Sequence, residues 1–186
     1  KRAAMQQLLT GQIRLPGFRE KWRFVTLGSQ LERLANGAVY RPASREGVPV
    51  TRIETIATGV VDHARTGLAK WEPTLEQYAV RKGDILFSHI NSIDHIGKVA
   101  LVADSRPLYH GMNLLLLRAV ADNNPTYLFH WMSSEPARRH MRTLAKQAVS
   151  QASINTSELR AVVLPLPCRD EQDSIASALS DMTAEL

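Results

Sequence analysis

The chain has 186 residues, 44% of them hydrophobic and 22% charged, which suffices for one domain with a core and excludes wholesale disorder. A formal net charge of +5 and a pI near 9.7 favour an anionic partner, nucleic acid before membrane, because no basic amphipathic helix of membrane type is present. No apolar run approaches bilayer length, no signal peptide is expected from Lys1-Arg2, and the lone Cys168 excludes an internal disulfide or a cysteine zinc site, so the cytoplasm is the expected compartment.

Residues 1–9 read as the last turns of a helix with Met5, Leu8 and Leu9 on one face, closed by Gly11. The start on Lys1 inside that pattern implies a piece of a longer chain. Pro16-Gly17 is a turn, residues 22–27 are an expected strand ending at Gly28, and residues 30–34 read as a short helical piece. Asn36-Gly37 opens a loop to Pro49 that exposes Tyr40, Arg41, Ser44 and Arg45. Residues 48–56 alternate as a strand with Ile53 and Ile56 inward, and residues 58–70 read as a loop. Gly83-Asp84 turns into a buried strand at 85–88, followed by a polar loop through His95 that Gly97 closes. Residues 98–103 and 114–120 are the clearest core strands, expected as neighbours.

Pro125 begins a helix with Tyr127, Leu128 and Trp131 inward; Pro136 breaks it, and the pattern resumes over residues 137–149. The polar segment 150–157 precedes a short buried strand at 161–164, stopped by Pro165 and Pro167. From Arg169 a last helix carries Asp170 and Glu171 in its first turn, where negative charge suits the macrodipole. Its seam of Ile175, Leu179, Met182 and Leu186 is suited to packing against another helix. The resulting class is α/β (α+β): a single globular mixed-sheet domain with a basic helix and a protruding C-terminal helix.

Arg138, Arg139, Arg142 and Lys146 form a basic stripe with no acidic residue between Pro136 and Ser150, able to neutralise a row of phosphates or simply to face solvent. Arg41, Arg45, Asn91, Gln147, Gln151 and Asn155 have the bidentate capacity that base edges in the major groove require, although for any single one an ordinary exposed polar residue is the commoner case. Tyr40 and Trp71 suit stacking on a sugar or base, or half-buried packing. His89, Asp94, His95 and His110 match no metal-ligand spacing, and no acidic residue has a lysine two positions later as carboxylate–lysine nucleases require. Ser88 and Ser153 lack a nucleophile elbow. Asn123-Asn124-Pro125-Thr126 lacks the second proline and the aromatic of the adenine-methyltransferase motif, and Gly97-Lys98 lacks phosphate-loop spacing. No catalytic residue, metal or cofactor is therefore expected.

The run QASINTSELRAVVLPLPCRDEQDSIASALS, residues 151–180, resembles the end of a target-recognition domain in the specificity subunits of type I restriction–modification systems. There a Ser/Asn-rich segment leads into an LPLP…EQ element and a long spacer helix. Met5-Gln6-Gln7-Leu8-Leu9-Thr10-Gly11 with Arg14-Leu15-Pro16-Gly17-Phe18, Trp22, Leu27-Gly28 and Gly83-Asp84-Ile85-Leu86 are similar as well, whereas Cys168-Arg169 departs from the usual proline and apolar pair. The resemblance spans essentially the whole chain and is most specific at its ends. It implies that residues 1–14 end a preceding spacer helix, 15–167 recognise DNA, and 168–186 begin a spacer coiled coil.

The resemblance further implies a non-catalytic domain binding one half of a bipartite double-stranded DNA site. Base readout would come from residues 40–45, 89–95 and 147–155, so that His89, Ser92, His95 and Ser153 join the bidentate candidates. Implied partners are methyltransferase subunits and a motor-nuclease restriction subunit, which would bind S-adenosylmethionine and ATP. A second recognition domain, or self-association through Met5, Leu8, Ile175, Leu179 and Met182, would complete the assembly. The rival expectation is a module that docks methyltransferase subunits through those apolar residues without reading sequence.

Overall fold

Residues 114–117 are all leucine and all fully buried, which in a strand means cover on both faces. A computed structural model, which describes residues 2–92, 95–147 and 152–184, shows how this is met. In chain order the elements are α1 (Arg2–Leu9), β1 (Arg23–Thr26), β2 (Leu31–Asn36), β3 (Val48–Val50), β4 (Gly67–Ala69), β5 (Ile85–Ser88), β6 (Ile90–Asn91), β7 (Val99–Leu101) and β8 (Leu114–Ala119). Then follow α2 (Pro125–Ser133), α3 (Glu135–Thr143), β9 (Lys146–Gln147), β10 (Ala152–Ser153), α4 (Thr156–Ala161), β11 (Val163–Leu166) and α5 (Arg169–Ala184). The central sheet is antiparallel in the order β2-β8-β5-β7, with Asn36 opposite Leu115, Ser88 opposite Leu114 and Phe87 opposite Val99.

Strand alternation divides the core. Ile85, Phe87, Leu115 and Leu117 join a main cluster with Tyr127, Leu128 and Met132 of α2, Met141 of α3, and Ile175 and Leu179 of α5. Leu86 and Leu114 point the other way, onto Ile56, Ala100 and Val102. A third cluster of Ala38, Val50, Ala69 and Leu75 underlies the β3–β4 ribbon, where a β-carbon on Gly37 would overlap the Gly111 carbonyl.

Both ends of the chain meet at one clamp. Glu171 is fully buried and accepts from Arg14 Nη2 at 2.7 Å, from Arg14 Nε and from Trp22 Nε1 at 3.0 Å, while the guanidinium also stacks on the Trp22 ring. Gln172 accepts from the Asn124 N–H at 2.9 Å and donates to the Pro167 carbonyl at 3.1 Å. The first turn of α5 is thereby tied to the N-terminal segment, to the start of α2 and to β11.

The class and single mixed domain agree with the sequence reading, but several elements do not. Residues 31–36 form β2 rather than a helical piece, because pairing with β8 outweighs the modest helix preference of Leu, Glu, Arg and Ala. The expected strand at 48–56 ends at Val50 and passes into a 3-10 turn at Ile53–Ile56, in which Ile56 is buried and Ile53 only partly so. The loop expected at 58–70 contains β4. β7 and β8 are not neighbours, since β5 lies between them. α3 ends at Thr143, so that Lys146–Gln147 of the expected helix form β9, and part of the polar segment 150–157 folds into β10 and α4. Pro165 lies inside β11, which among the described residues pairs only with β1, an edge position where proline is tolerated.

The expected helix-packing residues are also largely consumed within the domain. Ile175 and Leu179 are 1% and 0% exposed in its own core, Leu8 is buried beside them, and Met5 and Met182 pack partly buried against the same cluster. Leu186 lies outside the described residues.

Candidate nucleic-acid interface

The register of the central sheet places the end of β2, the end of β5 and the starts of β7 and β8 at one end. The segments that leave there are 37–47, 89–98 and 110–113. Strand spacing puts the first two about 10 Å apart, since β8 alone lies between β2 and β5. β10 then inserts between β6 and β9: Ala152 faces Asn91 and Gln147, and Ser153 faces Ile90 and Lys146. Ile154 N–H donates to the His89 carbonyl at 2.9 Å, locking this small sheet onto the end of β5. Segments some sixty residues apart in sequence thus form one platform, and the sequence alone carries no signal for that pairing.

On this platform Ser92, His95, Lys146, Ser153 and Asn155 are exposed. Asn91 is half-buried and committed to a local turn, its amide donating to Ser88 Oγ at 3.1 Å and its oxygen accepting from Ser92 N–H at 2.8 Å. Asn155 caps α4 by accepting from Ser157 N–H at 2.8 Å, so its amide nitrogen is the group left for a ligand. His89, expected on an exposed loop, is instead 8% exposed, with Nδ1 lacking a described partner and burial lowering the ring's pKa. Asp94 and Gln151 lie outside the described residues, as does the side chain of Gln147.

The basic helix α3 flanks the platform. Arg139 is exposed and pairs loosely with Glu135 at 3.8 Å, whereas Arg138 and Arg142 are half-buried, each with a buried Nε that has no described partner. Lys146 reaches Glu158 at 3.4 Å with its side chain 75% exposed. Cations with unused donors beside exposed polar side chains can bind phosphate, and such contacts position a duplex without reading it.

The 37–47 segment contributes differently. Arg45 is exposed, and Arg41 is 84% exposed, with Glu72 at 3.9 Å as a weak partner. Tyr40 packs half-buried against the third cluster, and the half-exposed Trp71 rests edge-on against Tyr109 at 5.6 Å. His110, outside the platform's exposed set, is fully buried and bonds the Leu114 carbonyl through Nε2 at 3.0 Å. Among the described residues no three His, Cys, Asp or Glu side chains gather as metal ligands, and no helix is long and apolar enough to cross a membrane.

Comparison with known proteins decides the family. Residues 19–186 match the model of the type I restriction modification DNA specificity domain. The chain belongs to that family. This specificity domain is 40% identical over 168 residues to a protein of Methanocaldococcus jannaschii named as the MjaX type I restriction enzyme specificity subunit, covering 87% of this chain and 39% of the relative. It is 28% identical over 180 residues to the EcoKI specificity subunit of Escherichia coli, covering 89% of this chain and 39% of the relative. The specificity domain therefore spans about two fifths of the length of these relatives. Its fold is that of the crystal structure of the HsdS subunit from Thermoanaerobacter tengcongensis, with a TM-score of 0.65 at 21% identity over 98% of this chain and 43% of that one.

Proposed function

We propose that the chain reads one half of a bipartite DNA site as the recognition domain of a type I specificity subunit, and so directs methylation and restriction carried out by partner subunits. The observation that carries this is the joining of residues 89–92, 146–147 and 152–155 into one polar platform flanked by the basic α3. Exposed Ser92, His95, Ser153 and the Asn155 amide are the base-reading candidates, joined by Arg41 and Arg45 from the neighbouring loop. Arg138, Arg139, Arg142 and Lys146 anchor phosphates. Chemistry is left to methyltransferase and motor-nuclease subunits, which would hold S-adenosylmethionine and ATP in the same cytoplasm. Residues 1–14 and 168–186 are read as the ends of spacer helices, with 15–167 as the recognition unit.

A docking module without sequence readout is the rival. It loses Leu8, Ile175 and Leu179, which are buried in this domain, but gains Phe24 and Val163, which are 76% and 54% exposed on the β1–β11 ribbon. The deciding experiment grafts residues 15–167 into a specificity subunit of known target, co-expresses its methyltransferase and sequences the modified adenines. A change in one half of the methylated motif, with the other half kept, is the expected result. Persistence of the old half-site refutes the reading, and loss of all methylation from a soluble, assembled chimera favours docking.

A further inference from the structure

Outside the platform, the free edge of β7 bears an open cavity of about 420 Å³. Val60 bridges in parallel to Leu101, so residues 57–60 run along that edge and form one wall, while α2 and the start of α3 form the other. Val99 and Phe129 supply apolar lining, and the polar groups are the hydroxyls of Thr58 and Ser133, the Lys98 amine and the Arg138 guanidinium. Among the described residues no carboxylate lines the cavity.

Both cations have donors to spare. Lys98 Nζ donates to the Ala57 carbonyl at 3.0 Å, which fixes the amine at the wall, and its other two N–H groups have no partner among the described residues. Arg138 Nε is buried without a described partner, and neither cation pairs with a described carboxylate. Two cationic side chains that line one cavity without a described carboxylate beside them favour an anion. Lys98 is also tied to the platform, because Ser88 N–H donates to its carbonyl at 2.8 Å, one residue before His89.

We propose that this cavity seats one backbone phosphate of the bound duplex, with Lys98 and Arg138 neutralising it and Thr58 and Ser133 donating to its non-bridging oxygens. The proposal rests on the DNA-binding reading above and adds Lys98, Thr58 and Ser133 to it. A phosphodiester suits the cavity because two cations converge on it while base-reading side chains lie elsewhere. The contact anchors every sequence alike.

The test uses the full chain, two short duplexes of unrelated sequence and a salt titration by fluorescence anisotropy, with inorganic phosphate as a second probe in thermal melts. Arg138→Gln and Lys98→Met should each reduce the slope of log K against log salt by about 1 on both duplexes. Lys98→Arg should keep the slope, which separates lost charge from a disturbed 57–60 segment. Phosphate should raise the melting temperature of the wild type and have a smaller effect on Arg138→Gln. Unchanged slopes in folded variants, or a loss confined to one duplex, overturn the assignment. If the wild type binds neither duplex yet phosphate stabilises it through Arg138, the anion pocket stands and the DNA occupant is overturned. If phosphate has no effect either, the pocket itself is refuted.

Discussion

Replacing Glu171 by Ala should unfold the domain more easily than any surface charge change, because that carboxylate ties the N-terminal segment to α5. Its side chain is fully buried and accepts two hydrogen bonds from Arg14 and one from Trp22. Removing one partner of a buried pair costs about 3–5 kcal/mol, since the other is left uncompensated. The Arg14 side chain is 26% exposed and can regain part of its hydration, so the low end, about 3 kcal/mol, is expected. For a domain of this size that corresponds to a melting temperature lower by about 6–12 °C. The assay is urea unfolding of the wild type, Glu171→Ala, Arg14→Ala and the double variant at pH 7. The midpoint should fall at constant m value, and the cycle should give a coupling of about 2 kcal/mol. A Glu171→Ala midpoint equal to the wild type, or strictly additive single changes, would refute the clamp.

Burial holds both His110 and His130 at a pKa of about 4, below the usual imidazole value near 6.5. The unfolded chain takes up protons below about pH 6.5 that the folded rings refuse until pH 4, so stability falls across that window and is flat above it. Each ring should cost roughly 2 kcal/mol at pH 5, and His110→Gln should recover that amount between pH 7 and pH 5 in urea titrations; an unchanged pH dependence would refute it. Gly37→Ala should destabilise by about 3 kcal/mol because its β-carbon overlaps the Gly111 carbonyl, and wild-type stability would show that the two segments separate readily. Arg142→Ala should weaken binding of all duplexes alike and lower the salt slope by about 1, whereas loss of a single sequence at unchanged slope would make Arg142 a base reader.

Turn and boundary chemistry was legible in the sequence because it is local. Gly11 adopts the left-handed conformation that closes α1, Pro125 follows the Asn124 cap of α2, and α3 starts afresh at Glu135 beside Pro136. Asp170 and Glu171 stand in the first turn of α5, as the macrodipole favours. The leucine run read as a core strand for the same reason, and the structure buries all four leucines in β8. The motifs at both ends also sufficed to name the family that the match over residues 19–186 shows.

The site itself was decided by contacts between distant segments. Nothing near Asn91 specifies Ala152 as its partner, and nothing near Leu31 forbids a helix until β8 lies alongside. His89 reads as a polar loop residue until β10 bonds its carbonyl and neighbouring segments bury the ring. The α5 seam reads as packing against some other helix, and only the tertiary structure shows α2 and the main cluster taking up its Ile175 and Leu179. Local preferences amount to about 1 kcal/mol or less per residue, whereas fully burying one large apolar side chain contributes about 1.5–3 kcal/mol. Long-range burial therefore overrules local preference wherever the two compete, and it fixes which polar side chains remain on the surface to meet a ligand.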